Sequence, residues 1–501
     1  MFPSIKRNVL VVGTILTASS LALTGCFSGS SAAQNTDTRL SAVMFLPPRA
    51  ANNPFTDDAF KLSRVSVTES LTRLNEAGDV EPLLATKWKQ EDPTSWRFTI
   101  RTGVKFHDGT EMTPASVVTA IQAALAAKPK PRVLDGIAMT LSVDGGDVVV
   151  KTEKAVPLLA QVLASPQLPI LAASAYADGK ANPSKTATGP FIQTALNGTS
   201  TAVFDRNENY WGEKAKVSGI DLSYVPDGAA RAAALRTNSA DVVEQVPTSQ
   251  SSILEEGLLH SIPTTRTTML LLNPQSPTFK DPGLRAAARK AVDKDKIVET
   301  VYEGNADAAV GMLGLAVPWA AEVRESMPHQ ETPAGIPQLQ PIKLATYSDS
   351  PELPEIAVQL EQSLEAAGFT VEQVVREYSS MEPDMLAGTF DATILGRNTA
   401  LDTGDPVAFM SSDFTCKGSY NLTHLCDPAV DEAIAAASAV LPGKDRQKAI
   451  IEAEAKILST DTVIPLVYER SLQGESSRTG NIARDPFQRR LITAGTTLSG
   501  N

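Results

Sequence analysis

Histidine and cysteine are scarce in this chain, and each scarcity removes a class of chemistry. The 501 residues include four histidines, at positions 107, 260, 329 and 424, and no His-Glu-x-x-His pattern, so zincin-type hydrolysis has no motif. No Gly-x-Ser-x-Gly elbow occurs, and no Gly-Lys is followed by Ser or Thr. These gaps leave no α/β-hydrolase nucleophile and no P-loop. Carboxylates are plentiful, but nothing singles out a glycosidase pair. Positive charge is also short: 45 Lys and Arg stand against 57 Asp and Glu, for a formal charge of -12. Such a chain is a poor partner for nucleic acid or for anionic headgroups. Beyond the N-terminal leader no run approaches eighteen apolar residues, so no second membrane span is expected. Hydrophobic content of 42% and charged content of 20% fit a globular protein of two or three domains. We expect no enzyme activity, no cofactor and no metal.

What is present begins with export. Lys6 and Arg7 precede an apolar stretch from Val9 to Leu23 and then small residues, the layout of a secretory signal. Leu23-Thr24-Gly25-Cys26 resembles a bacterial lipobox. The resemblance implies cleavage after Gly25, lipidation of Cys26 and residence on the outer face of the cell membrane. The alternative is an ordinary signal peptide with an incidental cysteine. A Ser/Gly/Ala/Asn-rich tether follows to Thr38, and removal of the leader leaves a charge of about -14. The remaining cysteines, Cys416 and Cys426, are separated by nine residues. In an oxidising compartment a disulfide is expected, stabilising by roughly 2.5–3 kcal/mol on the chain-entropy model. A metal site with His424 is the alternative.

Strand and helix patterns alternate along the chain and predict mixed α/β domains. Arg39 to Phe45 reads as a strand and Ser66 to Leu74 as a short helix. Thr113 caps a helix with Pro114 at its first position, and Asp144-Gly145-Gly146-Asp147 marks a hairpin. His107-Asp108-Gly109-Thr110 is a turn whose side chains serve the backbone. Asp227 and Asp281 each precede a helix, Met269 to Leu272 is a fully apolar strand, and Pro354 to Ala367 is amphipathic. Trp88, Trp96 and Trp211 read as packing residues.

Several motifs in order then resemble one family. They include Glu69-Ser70-Leu71, Phe98 through Thr110, Thr188-Gly189-Pro190-Phe191, Asp205 through Trp211, Asp281 through Ala287, and Asp445 through Leu466. Together they resemble the extracellular solute-binding proteins, family 5, which feed peptides, nickel chelates and similar solutes to ABC importers. The resemblance implies a periplasmic-binding-protein type II fold, with two α/β lobes closing by a hinge and an extra subdomain in the first lobe. The expected division is 1–25 signal, 26–38 tether, 39–71 with 186–268 and 470–501 first lobe, 72–185 extra subdomain, and 269–469 second lobe. The crossing strands are expected near Thr267–Asn273 and Pro465–Ser471.

The run Asp402-Thr403-Gly404-Asp405-Pro406 is similar to a loop of dipeptide-binding members. The similarity implies that Asp402 takes the peptide ammonium, and the cysteine pair matches a bridge just after that loop. Arg397, Asn398 and Thr399 precede it and are the other expected ligand contacts. An aromatic residue expected three places before the anchor is Thr399 here, and the usual Asn-Tyr after the loop reads Tyr420-Asn421. Arg397 is similar to the arginine by which other members hold chelates or opine-like acids, and it could meet a carboxylate bidentately or equally serve in a lobe-surface ion pair. The expected protein is a monomeric, lipid-anchored receptor that passes short peptides to a membrane permease. A receptor for nickel or another chelate is the alternative within the family. A secreted hydrolase or a ligand sensor is the alternative outside it.

Overall fold

The computed structural model describes residues 38–177, 179–325, 332–400 and 402–499. The leader, Cys26, the tether up to Asp37, and His329 lie outside the described residues.

One eleven-stranded sheet runs through the molecule. Two long antiparallel strands, Leu259–Leu272 and Val463–Glu475, lie at its centre and contribute to both halves. On one side, Arg39–Met44 pairs in parallel with Gly219–Tyr224 and with Val242–Val243, which pairs in turn with Glu475 and Gly474. On the other side, Ala392–Asn398 pairs antiparallel with Arg266 to Leu272. Gln340–Tyr347 then lies parallel between it and Phe369–Arg376.

The register of the two long strands is interrupted between Pro263 and Thr267. Backbone polar groups there still need partners. Thr264 Oγ1 donates to the Glu469 carbonyl at 2.7 Å, and the Thr265 carbonyl accepts from Thr399 N at 2.8 Å. At this interruption, a few residues before Thr267, threonine contacts stand in place of ladder bonds.

Met269 to Leu272 is apolar at every position because both faces of the strand are covered. Leu270 and Leu272 pack with Ile342, Ile394 and the Leu353, Ile356, Leu360 and Leu364 stripe of the Glu352–Ala366 helix. Met269 and Leu271 pack on the opposite face with the helices Val407–Phe414, Pro428–Ala439 and Lys444–Leu458. Each such buried side chain contributes roughly 1.5–3 kcal/mol.

A separate antiparallel sheet holds Ala85–Asp92, Ser95–Ile100, Asp147–Thr152 and Met139–Asp144. The Pro114–Ala126 helix packs near it, begun by a capping box of Thr113 and Ser116. The helix expected over Ser66–Leu74 is absent. A short helix ends earlier, spanning Ala59–Arg64, and Thr72–Leu74 is a strand. Ser66 takes a φ of 54°, which stops helical propagation, and Val65 and Val67 turn into the core.

Three distant motifs meet at one carboxylate. Buried Glu69 accepts hydrogen bonds from Thr188 Oγ1, Tyr210 OH and Trp211 Nε1 at 2.8, 2.7 and 2.9 Å. Burial holds its pKa above the ordinary glutamate value against those donors. Gly189 is required beside them, because a Cβ there would stand 2.2 Å from the Ser66 carbonyl oxygen.

Candidate functional site

The parallel strands Gln340–Tyr347, Phe369–Arg376 and Ala392–Asn398 end on the same side of the sheet. Ligands of open α/β sheets bind outside such carboxyl ends. The chain leaves the last of these strands through residues 399–406 and enters the Val407–Phe414 helix.

The expected site residues separate into two groups. Asn398 and Thr399 tie the start of the loop to the interrupted long strand. Thr265 Oγ1 donates to Asn398 Oδ1 at 2.6 Å, and Thr399 Oγ1 donates to the Thr265 carbonyl at 2.9 Å. Arg397 is engaged by Asp413. Its Nε and Nη2 donate to the two Asp413 oxygens at 2.6 and 2.8 Å, and Ser412 Oγ donates to the same carboxylate. The guanidinium lies 4.3 Å from the Tyr420 ring centroid. Burial lowers the Arg397 pKa, but the Asp413 charge more than reverses this and leaves it raised. Burial raises the Asp413 pKa, with Arg397 opposing.

The two aspartates of the Asp402–Asp405 run have different partners. Asp405 pairs with Arg446 at 2.7 and 2.9 Å and accepts from Val407 N at 3.0 Å. Arg446 also donates to the Ala437 and Val440 carbonyls, which end the Pro428–Ala439 helix. This arrangement fixes the loop to the helices beneath it.

Asp402 instead meets Arg132, a residue of the Arg132–Leu134 turn, with Nε at 3.0 Å and Nη2 at 2.8 Å. The remaining fork of Arg132 donates to Asp57 at 3.0 Å. The Asp402 hydrogen bonds raise the Arg132 pKa above its ordinary value, against burial. Asp57 is presented by a loop built on its neighbour. Asp58 accepts from the amides of Arg49, Ala50 and Asn52 at 3.0, 2.6 and 3.1 Å. Burial would raise the Asp58 pKa, but the Arg49 and Ala50 amides and Lys61 leave it lowered. Arg489 lies buried nearby, held down to about 10 by burial with Asp485 and Asp402 opposing.

Backbone packing seats the same loop. Gly404 has a φ of 72°, and a Cβ there would stand 2.6 Å from Leu74 Cδ1. Gly78 has a φ of 86°, and a Cβ there would stand 3.4 Å from the Gly404 carbonyl oxygen and 3.0 Å from the Phe487 ring. Two glycines therefore permit the close approach.

The result is one guanidinium, Arg132, between two carboxylates, Asp57 and Asp402, with the buried Arg489 nearby. Sequence reasoning singled out Asp402 and gave no sign of its partner Arg132, of Asp57 or of the Asp405–Arg446 pair. Asp405 was visible within the quoted motif, whereas Arg132 carries no local signal. A cavity of about 600 Å³ lies by His260, Glu475 and Arg484, and another of about 270 Å³ by Asn273, Gly388 and His424. Neither is lined by Asp402 or Arg132.

Cys416 and Cys426 form a disulfide. His424 Nε2 faces the Met385 carbonyl at 3.2 Å. Among the described residues no group of three or more His, Cys, Asp or Glu side chains could hold a metal ion.

The family model described as "Bacterial extracellular solute-binding proteins, family 5 Middle" matches residues 79–421. The chain is 24% identical over 451 residues to the nickel-binding protein NikA of Staphylococcus aureus, covering 87% of this chain and 90% of that one. It is 25% identical over 459 residues to Pseudomonas aeruginosa "Probable di/tripeptide-binding protein 5", covering 82% and 86%. NikA from Brucella suis, solved in complex with Fe(III)-EDTA, shares the fold. Its TM-score is 0.79 at 22% identity, over 92% of this chain and all of that one. Relatives bearing such names are solute-binding proteins and not enzymes. With a two-lobed α/β fold and a family match over most of its length, this chain belongs to the family 5 bacterial extracellular solute-binding proteins, the substrate-binding components of ABC importers.

Proposed function

We propose that this protein captures a short peptide with a free amino terminus and delivers it to its permease from a lipid anchor at Cys26. The pair of Arg132 and Asp402 carries this reading. On the division into a first lobe with an extra subdomain (72–185) and a second lobe (269–469), the two residues lie on opposite sides of the ligand cleft. A peptide ammonium replacing Arg132 on Asp402 gains roughly 4 kcal/mol gross at ~4 Å and an effective dielectric constant near 20. The released guanidinium is then free to meet the peptide carboxylate bidentately. The di/tripeptide-binding name of the Pseudomonas relative supports the same solute class. The nickel-binding name of the Staphylococcus relative supports a chelate. Against a polyanionic chelate stands the pairing of one arginine with two carboxylates.

The test is calorimetry with a panel of free and N-acetylated di- and tripeptides against the wild type and Asp402→Ala. Free peptides should lose ~2–4 kcal/mol on substitution, and acetylated ones much less. Equal losses, or a wild-type preference for acetylated forms, reject the peptide-amine reading and favour an acidic or chelate ligand. Mass analysis of the mature N-terminus tests the anchor, and an unmodified Cys26 thiol rejects it.

A further inference from the structure

The disulfide-closed segment reaches the candidate site through one aromatic ring. Residues 399–406 are held at their exit by Asp405 and Arg446 and at their entry by Arg397. Asp413, the partner of Arg397, lies near the end of the Val407–Phe414 helix. The strand end, the loop, the helix and the ion pair thus form a closed ring. The ring keeps one shape only if the guanidinium keeps one orientation. Asp413 fixes one edge of that group, and the Tyr420 ring covers its face.

Tyr420 belongs to a segment without helix or strand, so other contacts must hold it. Its amide donates to the Ser412 carbonyl at 2.9 Å. Its hydroxyl lies 2.6 Å from that of Tyr378, which donates to Glu382 at 2.7 Å. Asn421 Nδ2 bridges the Thr415 and Leu425 carbonyls across the segment. Gly418 lies so close to the helix that a Cβ would stand 2.3 Å from the Ser412 carbonyl oxygen. The Cys416–Cys426 bond closes this unit.

We infer that Tyr420 is a positioning residue for the Asp402 loop, and that the Cys416–Cys426 bond serves the binding site by holding Tyr420 over Arg397. The inference deepens the reading of Asp402 as a ligand group. It also makes a claim that needs no ligand: the order of residues 399, 400 and 402–406 depends on a ring outside them. Removing the ring frees the guanidinium to tilt and loosens the start of the loop. Phenylalanine keeps the ring and loses only the hydroxyl contact to Tyr378.

The test is amide hydrogen exchange on ligand-free protein. It follows Thr399 N, which donates to the Thr265 carbonyl, and Gly404 N, which donates to the Ala400 carbonyl. Tyr420→Ala and the double variant Cys416→Ser/Cys426→Ser should each speed exchange across 399–406 about tenfold, the scale of a lost cation–π contact. Tyr420→Phe should stay within about twofold of the wild type because its ring remains. The strands Gln340–Tyr347 and Arg39–Met44 should stay protected in every variant. Unchanged exchange over 399–406 in Tyr420→Ala overturns the inference. So does an equal rise over the whole sheet, which would make the segment a general stabiliser, and so does a Phe variant that behaves like Ala. Failure of the peptide calorimetry alone would leave this result standing, so the two readings can fail separately.

Discussion

Asp402 and Asp405 stand three residues apart in one loop and answer to different arginines. Asp405 pairs with Arg446 on the helix below, and Asp402 pairs with Arg132, 270 residues earlier in the chain. The first pair is almost fully enclosed, with Arg446 only 4% exposed, whereas Arg132 is 44% exposed. Identical side chains in one motif therefore have separable roles.

Asp405→Ala should lower unfolding stability by about 3–5 kcal/mol, because it strands a buried guanidinium. Asp402→Ala should cost about 1 kcal/mol or less, as for an exposed pair. Urea denaturation of both variants checks this, and a reversed order would exchange their roles.

On the proposed lobe division the Arg132–Asp402 pair bridges the cleft, so Arg132→Ala should loosen the unliganded molecule. An exposed bidentate pair contributes about 1 kcal/mol, which is about a fivefold change in population. Small-angle scattering should show a larger radius of gyration for the variant. The wild type at about 1 M salt should follow it, since the screening length is then about 3 Å. Identical scattering under all three conditions would show that the pair holds nothing closed.

Glu454 should be among the costliest single losses in its half of the molecule. It is 1% exposed, accepts from the amides of Met312 and Leu313, and pairs with Arg324 at 2.8 Å. Glu454→Ala should destabilise by about 3–5 kcal/mol, since it leaves Arg324 and two amides without their acceptor. A loss under 1 kcal/mol in urea melts would refute this account of how residues 309–317 are held.

His107 should make stability fall on mild acidification. Its Nε2 donates to the Gly189 carbonyl at 2.9 Å, so the neutral ring carries its proton there, and its Nδ1 is buried without a hydrogen-bond partner. Burial lowers the pKa from 6.5 to about 4. The unfolded chain therefore takes up a proton between those values that the folded chain refuses. The stabilisation is complete above pH 6.5 and is lost as pH falls towards 4, by up to about 3 kcal/mol. His107→Gln should flatten that part of the stability profile, and an unchanged slope would assign it to other groups.

Local signals carried much of the fold. Thr113 with Pro114, Asp227, and Asp281 with Pro282 mark helix starts through contacts within three residues, and all three helices begin there. The Asp144–Asp147 hairpin and the Ile356, Leu360, Leu364 stripe are equally short-range. Ser66–Leu74 misled because its pattern allows a helix, whereas packing of Val65 and Val67 and the left-handed Ser66 decided otherwise. The site was half legible. Asp402 stood in a recognisable loop, but Arg132 gains its meaning only from a partner 270 residues away in the chain. Arg397 reads equally well as a ligand arginine or an ion-pair arginine until Asp413 and Tyr420 are placed around it.

The two long central strands have a mechanical consequence. A ribbon of two antiparallel strands flexes readily out of its own plane but resists sliding, because sliding breaks every rung at once. The register is irregular at two places, between Pro263 and Thr267 and again between Thr268 and Met269. Any swing of one half against the other would therefore bend this ribbon rather than shear it.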